Sequence, residues 1–296
     1  MTHTFAGHRR RINHCNTQAV SEMKIKSICI AAVSFTFCVM AHAQTTITSW
    51  TFDNLPKTVN PNPAPTTGSG TAIAIGMDNS YPTPGTSTNA SDVQKQAGSS
   101  DPSSQLDWRI RGAGNTGTAG NGWSTNAPIG TQGAQFNVST LGYTNISVSF
   151  DTYISTKGEA KMAVEYTTDG STWSLLTPVL QSGSPATIQN NSSSANTIVG
   201  DFIQINTGSG NNWLNGITLD FSGISAANND ANFGIRLVNA ATGADNIAAS
   251  GNPLDNASGN WQFDNVIFSG TPVPEPSTLA LASAGLLTLW GLSRRK

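Results

Sequence analysis

The stretch QLDWRIRG, residues 105–112, alternates without a break: Leu106, Trp108 and Ile110 fall on one face, Asp107, Arg109 and Arg111 on the other. A period of two marks a strand with one face on a core, because successive side chains of an extended chain point to opposite sides. The pattern recurs in NISVSFDTYI, residues 145–154, where Ile146, Val148, Phe150, Thr152 and Ile154 share a face. It recurs again in AKMAVEY, residues 160–166, where Met162, Val164 and Tyr166 oppose Lys161 and Glu165, and Asp169-Gly170 just beyond marks a hairpin turn.

Working outward, further strands are predicted at DFIQINT, GITLDF, FGIRLVN and NWQFDNVIFSG, and a first one at TTITSWTF, residues 45–52. Asn-, Gly- and Ser-rich loops separate them, and only 11% of all residues are charged. Such small polar residues are poor helix formers and good turn formers. Nine or ten short strands of this kind predict an all-β protein, an antiparallel β-sandwich of jelly-roll-like form. Residues 56–104, rich in Pro, Gly and Thr with short apolar islands such as AIAIG, read as a long polar loop.

The first and last strands echo each other in Trp50-Thr51-Phe52-Asp53-Asn54 and Trp261-Gln262-Phe263-Asp264-Asn265. Five residues are too few for a repeat unit, so the echo predicts that the two strands lie side by side and bury their rings. Asp53 and Asp264 are in addition candidate ligands for a structural Ca²⁺, which takes carboxylate and carbonyl oxygens. No other cofactor is expected.

Toward the N-terminus, Met23 precedes Lys24 and Lys26, an apolar run from Ile28 to Met40, and Ala41-His42-Ala43. This is the charged, apolar and small-x-small order of a secretory signal peptide, predicted to be cut after Ala43 by signal peptidase. Residues 1–22 read as an upstream extension from a misplaced start or as a long basic n-region of the leader. All three cysteines (Cys15, Cys29, Cys38) and all four histidines (His3, His8, His14, His42) precede the predicted cut. The remaining chain can then form neither disulfides nor a Ser-His-Asp triad, a Cys-His pair or a His/Cys zinc site. Between residues 44 and 293 seven Lys and Arg face sixteen Asp and Glu, so there is no electrostatic footprint for nucleic acid.

The C-terminus reads Val273-Pro274-Glu275-Pro276, then an uncharged and largely apolar segment from Thr278 to Leu292, then Arg294, Arg295 and Lys296. The two prolines favour an extended conformation that presents Glu275. The apolar segment, although short, reads as a transmembrane helix whose basic end is held on the cytoplasmic side. The three parts in this order resemble the PEP-CTERM sorting signal of exported bacterial surface proteins. That resemblance implies recognition and processing by a membrane-embedded exosortase. The stretches WRIRG, GWSTNAPIGTQGAQFNVSTLGYTNISVSFD and VEYTTDGSTW also resemble a domain recurring in such proteins, related in shape to lectin-like and carbohydrate-binding modules. The organisation expected is therefore extension (1–22), signal peptide (23–43), β-sandwich (44–270) and sorting signal (271–296).

For chemistry the sequence offers little. Glu159, Glu165, Asp151 and Asp169 could in principle supply paired carboxylates for glycoside hydrolysis, but they read as solvated surface, strand-end and turn residues. Trp123 and Trp213 lie in the polar loops GNGWSTN and GNNWLNG, where an indole could stack on a sugar ring, while Trp108, Trp173 and Trp261 read as core or strand-face residues. The expectation is a noncatalytic exported protein of the cell surface or extracellular matrix, associated with exopolysaccharide and held transiently at the membrane. A secreted polysaccharide-active enzyme and a purely structural surface protein are the alternatives.

Overall fold

The computed structural model describes residues 43–57, 60–77, 92–100, 106–111, 123–176, 190–191, 197–199, 202–204, 212–254, 259–274, 285–287, 289–291 and 293–294. The predicted extension and the signal peptide up to His42, together with Glu275, Pro276, Arg295 and Lys296, lie outside the described residues.

Two antiparallel sheets make up the described chain. The first has the order β3 (Asp92–Lys95), β4 (Leu106–Arg111), β14 (Asn260–Pro272), β6 (Tyr143–Ile154), β12 (Asn212–Asp220), β9 (Asn190–Asn191), with β1 (Thr45–Trp50) also pairing β14. The second has the order β10 (Thr197–Val199), β11 (Phe202–Gln204), β7 (Lys161–Thr167), β13 (Gly234–Asn239), β5 (Gly133–Asn137), β2 (Thr71–Ile75), with β8 (Ser174–Leu175) pairing β7. Strands distant in sequence are neighbours in both sheets, so an all-β protein with an interleaved order results.

The sheets meet through an aromatic core. Trp50 and Trp108 of the first sheet pack edge-on against Phe136 of the second, with ring centroids 5.3 and 5.7 Å apart, and Phe233 meets Phe268 at 6.2 Å. Leu106, Trp108 and Ile110, and likewise Ile146, Val148, Phe150 and Ile154, are buried in this core as the alternation predicts. The first and last strands pair from Thr45↔Gly270 to Trp50↔Val266, which places Trp50, Phe52, Trp261 and Phe263 inside together.

One expectation is corrected. The stretch read as a loop over 56–104 contains β2, which pairs β5, and β3, which pairs β4. Its Pro-rich start is tied to the core because two buried indole N–H groups need acceptors: Trp50 Nε1 donates to the Pro63 carbonyl at 3.0 Å and Trp108 Nε1 to that of Asn60 at 2.9 Å. The predicted C-terminal transmembrane helix lies largely outside the described residues. Among the described residues no helix is long and apolar enough to cross a membrane; the segment is helical at 285–287, 289–291 and 293. Thr278 to Leu292 is shorter than the roughly 20 residues an untilted span requires.

Candidate functional site

On the first sheet the residues that point away from the core form two polar rows. Register pairs Arg109 with Gln262, Gln262 with Tyr153 and Tyr153 with Trp213, so these four side chains cross β4, β14, β6 and β12 in line. One step along, Asp264 pairs Asp151, the same register carries Asp107 to the far side of Asp264, and Asn215 and Gly216 follow on β12. None of these side chains belongs to the hydrophobic core, yet Asp107, Asp151, Asp264, Asn215, Gln262, Tyr153 and Trp213 are all buried.

Asp151 organises the centre of this face. The register of β14 slips between Asp264 and Ile267 and that of β12 between Leu214 and Ile217, so a bulge lies on each side of β6. The inward positions accordingly change parity, from Trp261 and Phe263 to Val266 and Phe268, and from Leu214 to Ile217 and Leu219. Asn265 and Gly216 take left-handed φ of 50° and 68° there. Both bulges turn donors onto the same carboxylate: Gly216 N donates to Asp151 Oδ1 at 2.7 Å and Asn265 Nδ2 to Oδ2 at 3.0 Å.

A strap, Gln96 to Ser100, crosses the face after β3. Ser100 donates its N–H and hydroxyl to Asp151 Oδ2 at 2.7 and 2.6 Å. Trp213 Nε1 donates to the Ala97 carbonyl at 3.1 Å and Asn215 Nδ2 to that of Gly98 at 2.9 Å. Gly98, at φ +122°, sits so close that a Cβ there would lie 2.6 Å from Trp213 Cδ1. Trp213 in turn packs on Tyr153, centroids 5.7 Å apart, and a depression of about 350 Å³ opens beside Asp151, Ser100 and Asn265.

The electrostatics follow from burial. Asp151 has four donors on its two oxygens. Asp264 is pushed up to about 7, chiefly by burial and further by the neighbouring Asp151 and Asp53 carboxylates, against hydrogen bonds from Ser99 and the Asn265 N–H. On this face the buried acceptors Gln262 Oε1 and Asn215 Oδ1, on side chains 2% and 5% exposed, have no hydrogen-bond partner among the described residues.

The residues singled out in the sequence separate. Trp213 belongs to this face beneath the strap. Trp123 is fully buried at the opposite side of β14, 4.5 Å from Trp261, with its Nε1 donating to the Gly259 carbonyl at 2.9 Å, which leaves no ring face for a sugar. The Asp53 charge adds to the raised pKa of Asp264, but among the described residues no group of three or more His, Cys, Asp or Glu could hold a metal ion. Glu159, read as solvated, is fully buried instead: its Oε1 accepts from Lys161 N at 3.2 Å, its Oε2 has no partner, and burial pushes the carboxyl up to about 8. Glu165 is half-buried and lies near Arg236, whose guanidinium covers the Trp173 ring at 3.8 Å. Asp169 is a turn residue, its Oδ1 accepting from the N–H groups of Ser171 and Thr172 at 2.7 and 2.6 Å. Gln262, Asn215, Tyr153 and Ser100 were not picked out by sequence. Alternation marks Gln262 and Tyr153 as outward-facing, but not that their face is covered.

At the C-terminus, Val273 N donates to the Gly142 carbonyl at 2.8 Å, the last ladder bond before the chain leaves the sheet, and Val273 and Pro274 are exposed. Further on, Leu287 and Leu289 are exposed at 67% and 65%, and the Arg294 guanidinium lies 3.7 Å from the Trp290 ring centroid.

An exposed extended segment, an apolar helical stretch and a basic end define a C-terminal sorting signal carried by a β domain. The family model of the PEP-CTERM protein-sorting motif matches residues 272–296, and the chain is a PEP-CTERM sorting domain-containing protein. It is an exported protein that transits the membrane and is sorted and processed by exosortase. No curated protein and no solved structure matches the chain.

Proposed function

We propose that the protein is a noncatalytic component of the cell surface or extracellular matrix that associates with exopolysaccharide, signal peptidase removing its leader before exosortase acts on its tail. The observation that carries this reading is the covered outer face of the first sheet, where an aromatic pair adjoins a row of amide and carboxyl groups. Aromatic faces that stack on pyranose rings beside fixed polar groups are the usual means of holding a sugar. The interleaved strand order supports a jelly-roll-like sandwich as its scaffold.

An enzymatic reading draws on the adjacency of Asp151 and Asp264, two carboxyl groups on neighbouring strands. Against it, Asp151 already accepts four hydrogen bonds, three of them on Oδ2, which commits this carboxylate to holding the strap and the two bulges. One experiment tests both readings. The processed protein recovered from cells is sedimented with the host's exopolysaccharide and assayed for release of reducing ends. Co-sedimentation without reducing ends is expected; release of reducing ends overturns the noncatalytic assignment, and failure to co-sediment overturns the association. Peptide mass spectrometry of the same material is expected to show a mature start at Gln44 and loss of residues beyond the VPEP region.

A further inference from the structure

We infer that the outer face of the first sheet is a binding cleft for a neutral saccharide, built from Tyr153, Trp213, Gln262 and Asn215 and occupied in the free protein by the strap Gln96–Ser100. This rests on the glycan-associated reading above and assigns it a place and a ligand chemistry.

Three features converge. Polar side chains are buried only where hydrogen bonds offset their desolvation, and Gln262 Oε1 and Asn215 Oδ1, both on side chains more than nine-tenths buried, have none. Each is an acceptor that a sugar hydroxyl would satisfy. Both stand on the outward side of their strands, since the flanking Trp261, Phe263 and Leu214 enter the core. The Tyr153 and Trp213 rings lie in the next cross-strand positions, within reach of the same ligand.

The strap imitates such a ligand. Toward Trp213 and Asn215 it presents backbone, offering two carbonyl oxygens to Trp213 Nε1 and Asn215 Nδ2 and the bare Cα of Gly98 to the indole, as the apolar face of a sugar would. Its four polar contacts at Trp213, Asn215 and Asp151 are of a kind a hydroxylated ring can replace one for one. Charge selects the ligand class. Asp107, Asp151 and Asp264 line the adjoining row, so a uronic acid would meet carboxylates, whereas neutral hydroxyls can donate to them.

The test uses processed protein recovered from cells, titrated calorimetrically with cellohexaose, maltohexaose and, as anionic probe, hexagalacturonate, alongside sedimentation with the exopolysaccharide. At least one neutral hexasaccharide is expected to bind, with Trp213→Ala and Gln262→Leu each weakening it tenfold or more. Trp213→Phe keeps the ring but loses the bond to Ala97, and Gly98→Ala drives a methyl into Trp213; both loosen the strap and are expected to tighten binding several-fold. These substitutions lie outside the hydrophobic core, and the opposite signs of Trp213→Ala and Trp213→Phe separate a binding role from misfolding. Co-sedimentation of all variants like the parent overturns the cleft and leaves the glycan association standing. Preference for hexagalacturonate overturns the ligand class, and no binding to hexasaccharide or exopolysaccharide overturns cleft and association together.

Discussion

Asp151 shows how one side chain can set the geometry of three strands. Its carboxylate receives the Gly216 N–H, the Asn265 amide and both donors of Ser100, so truncation would leave several part-buried donors without a partner. An unsatisfied buried group costs on the order of 1–3 kcal/mol. Asp151→Ala is therefore expected to destabilise the domain by about 3 kcal/mol in urea unfolding, and Asp151→Asn by less, because the amide oxygen still accepts from Gly216. Glu159 is the opposite case, a buried carboxyl with one oxygen unpartnered. Glu159→Gln removes the ionisable group while keeping the acceptor for Lys161 N, and is expected to raise stability at pH 8 more than at pH 5.

At the scale of elements, the bulges in β12 and β14 and the hairpin between β7 and β8 each depend on a short polar signal. Gly216 has φ +68°, a region β-branched residues rarely adopt, so Gly216→Val is expected to disrupt the bulge and the pairing of β12 with β6. Amide exchange should then quicken at Leu214 and Ile217 while β13 and β5 stay protected. Asp169 is held well below the usual carboxylate range by the N–H groups and hydroxyl around it, Thr172 foremost, and Gly170 beside it takes φ +76°. Asp169→Ala is expected to speed exchange at Leu176 N, which closes the β7/β8 hairpin on the Val164 carbonyl, without touching the distant face of the first sheet.

For the whole molecule, Glu159 and Asp264 set a pH dependence of definite sign. In the folded chain burial raises them to about 8 and about 7 from 4.5 and 3.8, so between pH 4 and 8 the folded state holds protons that the unfolded state has released. Stability then falls as pH rises through that window, by a few kcal/mol in total. The melting temperature is expected to be higher at pH 5 than at pH 8.5, and the slope to flatten in the double variant Glu159→Gln, Asp264→Asn. A flat profile in the parent chain would contradict the burial of these groups. Below pH 4 the depressed Asp169 acts in the reverse sense, its contribution being lost as the carboxylate takes up its proton.

The strands of the sandwich were legible because alternation is a local property: Leu106 to Arg111 and Ile146 to Ile154 can bury a single face only as extended chain. The sorting signal was legible for the same reason, since its three parts follow each other within 25 residues of the end. The all-β class and the C-terminal motif were thus determined by sequence alone. What covers a strand's outer face is decided by residues far away in the chain. Asp151 meets Ser100, Gly216 and Asn265 across separations of 51, 65 and 114 residues, and no periodicity encodes that meeting. The burial of Trp123 and Glu159, the strands within 56–104 and the covered polar face therefore belong to the tertiary structure. Cross-strand register and the need to satisfy buried polar groups act only once the two sheets have closed on their core.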